Sequence, residues 1–458
     1  MIHQIMGIKN KGEKMSEKIM KKENDQVIEN FLNRTFFAAW RKENIDNHEK
    51  YGNYRGLEVQ VNGSCDLKCK YCYYAKHKKD LYPSTIAGKS NVLKNLDMLL
   101  AWLKKNELYP HLEIFSGELF FQEVGFKVLE RLVEWQNENE IKHPISIPTN
   151  YSFIFDEDKI ERLEKIFELS KARIFLSCSV DGKYCDENRP FIDNKIRTDE
   201  YYDRMFQFAK KHNFGFHPMI YNEKIENWKK NWLWFQENME KYDIPITHIY
   251  LLEVRNVEWN KKQIQEYYKF IRFVLNWTWN KIKDQVSPEK FPQYVFDNKL
   301  FNMFNMFSTT NRGLGCSMQS TLQLRLGDLT TSVCHRTAYK AHNLWRFKTD
   351  GKEITGIEAL NYNLAIAAAS YDYRNSPFCN YCTIREFCTG QCLGSMYETN
   401  GDPFMPIPTV CAVEHAKIAA ILDELHDLGL WHHFYNWSIP KQPSMKVYYK
   451  YFHKGECR

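Results

Sequence analysis

The feature that most constrains this chain is how its 13 cysteines are grouped. Three fall between Cys65 and Cys72 and seven between Cys316 and Cys411, while Cys178, Cys185 and Cys457 stand apart. The stretch Met1–Asp25 mixes Lys and Glu without an apolar centre and does not read as a secretory signal. Thiols in such number, in a large chain without that signal, point to metal or redox chemistry rather than to a disulfide framework. They predict a cytoplasmic protein.

Composition removes other classes. The 458 residues, 43% hydrophobic and 26% charged, suit a globular chain with a substantial core. A net charge of +6 is too dilute for a nucleic-acid footprint. No apolar run approaches the ~18 residues of a spanning helix, so no membrane is expected.

Residues 1–48 read as a polar, helical extension. From 49 to 285, short apolar runs alternate with helix-periodic stretches. The expected strands are Gly56–Val61, His111–Phe115, Ile145–Pro148, Ile174–Val180, Phe214–Ile220 and His248–Val254. Helices are expected near 85–105, 123–139, 158–169, 198–212, 227–241 and 260–282. That alternation implies parallel β/α units. Six are fewer than the eight of a closed barrel, which predicts an α/β fold with an open or partial TIM-type barrel and chemistry at the C-terminal strand ends. From 286 to 458 the pattern changes. Leu322, Leu324 and Leu326 alternate with polar residues, and Gly327-Asp328 turns the chain into Leu329–Val333. A loop-rich stretch from Ala369 to Pro408 precedes a helix at Glu414–Leu428. This second part reads as a small α+β, cysteine-rich domain.

Cys65, Cys69 and Cys72 follow the first expected strand as C-x3-C-x2-C. Three thiolates so close can ligate three irons of a [4Fe–4S] cubane and leave the fourth iron open. A structural zinc site is the other reading, although three Cys without a local His leave a tetrahedral shell short; buried thiols without a ligand are a third. Cys379-x2-Cys382-x5-Cys388-x3-Cys392 is denser still, and its C-x2-C pair also suits a zinc knuckle. Chance would give that four-cysteine spacing in roughly three of ten thousand such chains.

These motifs resemble the radical SAM enzymes, in which C-x3-C-x2-C follows strand one of a partial barrel and an aromatic, here Tyr71, precedes the third Cys. The resemblance implies that the open iron holds S-adenosylmethionine (SAM) and that Cys65, Cys69 and Cys72 carry the catalytic cluster. Ser116-Gly117-Glu118 occupies the place of the family's Gly-Gly-Glu-Pro, with the first Gly and the Pro replaced. Thr149-Asn150 ends the third strand, and Ser179-Val180-Asp181-Gly182 followed by Arg189 matches a Ser-x-Asp-Gly…Arg pattern. By that resemblance Tyr71, Ser116, Gly117, Glu118, Asn150, Ser179 and Arg189 are the cofactor-binding residues. His217 and Glu253, near the ends of strands five and six, are weaker candidates for the cavity wall. Trp228, Trp232, Trp234 and Trp259 can line a substrate channel, though packing is the default role of tryptophan.

The last seven cysteines resemble the SPASM domain, the C-terminal extension of many radical SAM peptide and protein maturases. The resemblance assigns Cys379, Cys382, Cys388 and Cys411 to an outer auxiliary cluster and Cys316, Cys334 and Cys392 to an inner one. Gly327 to Cys334 spans six residues where the family has four. The inner set is one ligand short, leaving an iron for a substrate thiolate, or for His335 or Asp328. Three [4Fe–4S] clusters and SAM are thus the expected cofactors. Cys178 reads as a core residue and Cys457 as part of a terminal tail.

The implied reaction is hydrogen abstraction by a 5′-deoxyadenosyl radical from a peptide or protein side chain, giving a thioether, a carbon–carbon crosslink or an oxidised residue. A flavodoxin or ferredoxin would supply electrons. The first 48 residues look too short for a leader-peptide-binding domain, which would call for a separate leader-binding protein. The alternatives are dehydrogenation or rearrangement of a small molecule and, from another class, a non-enzymatic zinc-binding interaction protein.

Overall fold

The computed structural model describes residues 20–44, 56–75, 91–295, 321–370, 376–385, 388 and 391–433. The strands are β1 (Gly56–Gln60), β2 (His111–Phe115), β3 (Ile145–Thr149), β4 (Ile174–Cys178), β5 (Gly215–Phe216), β6 (Met219–Ile220), β7 (Leu252–Glu253), β8 (Thr321–Arg325), β9 (Thr330–Ser332), β10 (Asn343–Thr349) and β11 (Ile354–Ala359). After a helical stretch over residues 20–34, the helices beyond single turns are α1 (Val92–Lys105), α2 (Glu123–Glu138), α3 (Glu157–Leu169), α4 (Asp199–His212), α5 (Trp228–Lys241), α6 (Lys261–Ile282), α7 (Tyr362–Ser370), α8 (Leu393–Asn400) and α9 (Pro408–Asp427).

Helices α1 to α6 lie where the apolar periodicity places them, and their starts have local chemical causes. The Asp156 carboxylate accepts from Lys159 N–H at 3.3 Å and the Thr198 hydroxyl from Tyr201 N–H at 3.2 Å. Asn260 and Gln263 form a reciprocal capping box ahead of α6. Strands β1 to β5 run parallel in sequence order, as expected of a partial barrel, and no closed barrel forms among the described residues. The expected strand Phe214–Ile220 divides into β5, which pairs with β4, and β6, which pairs with β7. The division falls at His217-Pro218, and a proline has no N–H to give to a ladder.

The second part of the chain joins the first in one sheet. Strand β8 lies parallel to β1 on the side away from β2, from Gly56↔Thr321 to Gln60↔Arg325. Strands β9, β10 and β11 continue antiparallel, giving the order β11-β10-β9-β8-β1-β2-β3-β4-β5. The alternation of β8 suggests one wet face, but Gln323 and Arg325 are only 4% exposed. Burial is tolerated because Arg325 donates to both Asp328 oxygens, at 2.8 and 2.7 Å, and to the Ala338 carbonyl at 2.9 Å. Asp328 is thereby engaged in the turn.

The loop-rich stretch contains α8, with α7 ending at its start, and α9 begins six residues before its expected start, with Pro408 in its first turn. Cys411 therefore sits on a helix. Residues 20–34 are helical as expected, and they pack along the sheet edge. The Asp25 carboxylate accepts from Ala359 N–H of β11 at 2.7 Å, and Lys21 pairs with Glu358. An open edge is a template for unwanted pairing. Asp25→Ala is expected to cost about 1 kcal/mol, as for one lost hydrogen bond, measurable by urea titration; an unchanged midpoint would remove this role. Among the described residues no helix is long and apolar enough to cross a membrane.

Candidate functional site

Three loops meet at the C-terminal ends of β1 to β4. The first carries Cys65, Cys69 and Cys72 and is joined to residues 188–192. Lys68 N–H donates to the Pro190 carbonyl and Lys70 N–H to the Asn188 carbonyl, both at 2.9 Å; Ile192 N–H donates to the Asp66 carbonyl at 2.8 Å. This stitching brings the distant Arg189 to the thiol loop. Cys65 Sγ accepts from Leu67 N–H and Cys72 Sγ from Ala75 N–H, each at 3.4 Å. Burial raises the Cys65 thiol well above its ordinary range and pushes Cys69 up to about 11, with neighbouring thiols adding repulsion. Buried thiols that resist ionisation suit a cationic iron partner, which reverses that preference. Among the described residues no three His, Cys, Asp or Glu side chains converge as a single metal ion would need. A cubane asks for a different arrangement, because each cysteine binds its own iron.

The second loop is Ser116-Gly117-Glu118. Gly117 N–H donates to the Asn62 carbonyl at 2.9 Å and Glu118 N–H to the Ser64 carbonyl at 2.8 Å. A Cβ on Gly117 would lie 2.5 Å from the Ser64 carbonyl oxygen, so only glycine permits this approach to the thiol loop. Ser116 Oγ donates to the Asn62 carbonyl at 3.0 Å. The Glu118 carboxylate is spent inside the protein. It accepts from Thr149 Oγ1 at 2.7 Å, Asn150 N–H at 2.6 Å and Phe120 N–H at 3.2 Å. Burial pushes it up to about 7. Its side chain ties the end of β2 to the end of β3. Asn150 Nδ2 donates to Asp66 at 2.7 Å and lies 3.9 Å from Cys65 Sγ.

The third loop centres on Asp181, a residue of the Ser-x-Asp-Gly pattern whose role the sequence alone does not reveal. Its fully buried carboxylate accepts from Arg189 Nε at 2.7 Å, Met219 N–H at 2.9 Å and the Tyr71 hydroxyl at 2.6 Å. Its carbonyl accepts from Asn231 Nδ2 at 2.6 Å. The Arg189 guanidinium lies 5.3 Å from the centre of the Tyr71 ring. Gly182 has a φ of +97°, and a Cβ there would meet Asn231 Oδ1 at 2.6 Å. Ser179, half-buried beside this network, is tied to β3 by its N–H, which donates to the Thr149 carbonyl at 2.7 Å. All seven residues expected to bind the cofactor thus lie on these three loops or at the end of β3.

The later cysteines form two further groups. Cys379, Cys382, Cys388 and Cys411 all line one small cavity, with Gln391 and His415. Gln391 Nε2 donates to Cys411 Sγ at 2.9 Å, and His415 Nε2 lies 3.4 Å from Cys382 Sγ. Four thiols around one cavity fit an iron–sulfur cluster by donor chemistry. Elsewhere, Arg336 reaches Cys392 Sγ at 3.8 Å, and Cys334 lies two residues before that arginine. Burial opposes ionisation of Cys392, yet Arg336, Ser395 and Arg255 bring its thiol down to about 7. Cys316 and Cys457 lie outside the described residues. Cys178 and Cys185 are fully buried in the core. His335 pairs with Glu58 at 3.2 Å and stacks on Phe115.

Glu253 is buried in an ion cluster with Arg255, Glu414 and Lys417. It accepts from Arg255 at 2.9 and 2.7 Å, Arg255 donates to Glu414 at 3.0 Å, and Lys417 donates to Glu414 at 2.9 Å. Trp228, Trp232 and Trp259 are buried in the core, and Trp234 packs on Tyr202 and Phe206.

No family model matches the chain. A radical SAM cyclopropyl synthase, TigE of Paramaledivibacter caminithermalis, is 20% identical over 388 residues, covering 80% of this chain and 73% of that protein. Two solved structures of anSMEcpe share the fold. The His-tagged protein with bound AdoMet matches with a TM-score of 0.55 at 14% identity, over 81% of this chain and 98% of that one. The native protein with bound AdoMet gives 0.54 at 13%, over 81% and 99%. Thiol motif, strand-end placement, sequence relative and fold agree: this chain is similar in sequence to a radical SAM enzyme and has the fold of a partial (β/α) barrel.

Proposed function

We propose that the protein cleaves SAM reductively and abstracts hydrogen from a peptide or protein side chain, forming a thioether, a carbon–carbon crosslink or an oxidised residue. The observation that carries the reading is the joining of the thiol loop to Arg189 and Tyr71 through Asp181 at the strand ends. Cys65, Cys69 and Cys72 would hold a [4Fe–4S] cluster which, with SAM bound, supplies a 5′-deoxyadenosyl radical. Asp181 orients Arg189 Nε, which leaves the outer guanidinium nitrogens for the SAM carboxylate. Gly117 brings the Ser116–Glu118 backbone against the thiol loop, where it can meet the SAM amino group. Tyr71, Asn150 and Ser179 complete the pocket wall.

The cavity of Cys379, Cys382, Cys388 and Cys411 would hold an outer auxiliary cluster, and Cys334, Cys392 and Cys316 an inner one. Residues 49–285 then serve radical generation, residues 286–458 the auxiliary centres, and residues 1–48 form an extension. A peptide substrate is favoured because such thiol-rich C-terminal parts resemble those of peptide maturases. A ferredoxin or flavodoxin would supply the electron in the cytoplasm, with a separate protein holding any leader.

Anaerobic reconstitution should give about twelve irons per chain, and dithionite with SAM should give 5′-deoxyadenosine. Replacing Cys65, Cys69 and Cys72 by Ala should remove about four irons and all 5′-deoxyadenosine. Continued cleavage would refute the assignment, and zinc without sulfide would end the enzyme reading. Incubation with peptides encoded beside the gene should show loss of two hydrogen atoms by mass spectrometry. Turnover of a small molecule alone would favour the alternative substrate class.

A further inference from the structure

Arg336 stands between the thiol loop of β1 and the later cysteines and is a ligand of neither. Its side chain is 13% exposed and is held from several directions. Nη1 donates to Ser395 Oγ at 2.8 Å and reaches Cys392 Sγ at 3.8 Å, while Nη2 donates to Glu398 at 2.6 Å. The guanidinium lies 4.4 Å from the centre of the Tyr73 ring, one residue beyond Cys72. A Cβ on Gly394 would come within 2.3 Å of Arg336 Cβ, so a glycine lets the start of α8 press against this arginine. One carboxylate would have sufficed to neutralise the charge. Here the fork is also aimed at a sulfur and clamped on the catalytic loop.

We propose that Arg336 is a positioning residue that raises the reduction potential of the inner auxiliary centre through its contact with Cys392 and fixes that centre against the catalytic loop through Tyr73. The inference rests on the reading of Cys392 as an iron ligand. Reduction adds one negative charge to a cluster. A fixed cation in a water-poor setting favours the reduced form, because its attraction is weakly screened there. Arginine suits the task because it cannot lose its charge.

The test uses full-length protein with Cys65, Cys69 and Cys72 replaced by Ala, reconstituted with iron and sulfide and titrated with dithionite under EPR. Arg336→Met should keep its iron and lower the equilibrium constant for reduction about tenfold, a shift of about 59 mV for a one-electron couple. Arg336→Lys, which keeps the charge, should recover most of that shift. Glu398→Gln removes an opposing anion and should move the potential the other way. Iron-loaded Arg336→Met at the parental potential overturns the proposal. Should Arg336→Met lose its iron, an unmoved potential in Glu398→Gln overturns it instead. If Cys392→Ser keeps the parental iron content, the ligand assignment fails and the proposal with it.

Discussion

Replacing Asp181 by Asn is expected to weaken SAM binding about 10- to 100-fold while the iron and sulfide content stays near the parental value. The magnitude follows the usual cost of removing a group that orients a ligand-binding side chain. The carboxylate has three donors, and the amide can accept on one oxygen only. Arg189 and Tyr71 would then compete for one acceptor. Asp181→Ala should be harsher, because it leaves a nearly buried guanidinium without an anion, a loss of about 3–5 kcal/mol. Equilibrium dialysis with SAM and chemical denaturation separate the two effects. Parental SAM affinity in well-folded Asp181→Asn would show that the network is merely structural.

The second large effect is expected at the ion cluster between β7 and α9. Glu253, Arg255, Glu414 and Lys417 have side-chain exposures of 1, 15, 4 and 7%. Two acids and two bases balance there, and the Tyr267 hydroxyl adds a contact to Glu253 at 3.3 Å. Glu253→Ala leaves two buried cations facing one carboxylate and should cost about 3–5 kcal/mol in chemical denaturation. Replacing Glu253 and Arg255 together by Met should cost less than the single change, because an apolar pair strands no charge. A double variant at least as unstable as the single one would contradict this account. Burial opposes ionisation of Glu253, but Lys417 and Arg255 hold its carboxyl below the ordinary carboxylate range. Its contribution is therefore present at neutral pH and lost as pH falls through and below that range.

Much of this was legible in the chain itself. The alternation of apolar runs with helical periodicity places β1 to β4 and α1 to α6, because both signals are local. The thiol spacings, likewise local, mark Cys65, Cys69 and Cys72 and the group at Cys379–Cys392. The pairing of β8 with β1 is not local: Gly56 and Thr321 are 265 residues apart, and nothing in either segment names the other. Asp181 shows the same limit in chemical form. Its motif is visible, but the three donors it gathers come from positions 71, 189 and 219. Glu253 shows it too, because a strand-end carboxylate looks alike in sequence whether it faces a ligand or, as here, a buried arginine. Arg336 carries no signal, since its meaning depends on Ser395, Glu398 and Tyr73 arriving from elsewhere.

The shared β1–β8 ladder has a practical consequence for making chimaeras. Grafting the thiol-rich half of a relative onto this barrel would replace one partner along five consecutive residues of backbone pairing in the middle of a sheet. Neither half ends in a free-standing border, so each expressed alone would present an unpaired inner strand to its neighbours. Separately made halves should therefore clump, and synthesis together, or a graft joined beyond β8, is the arrangement that keeps both in solution.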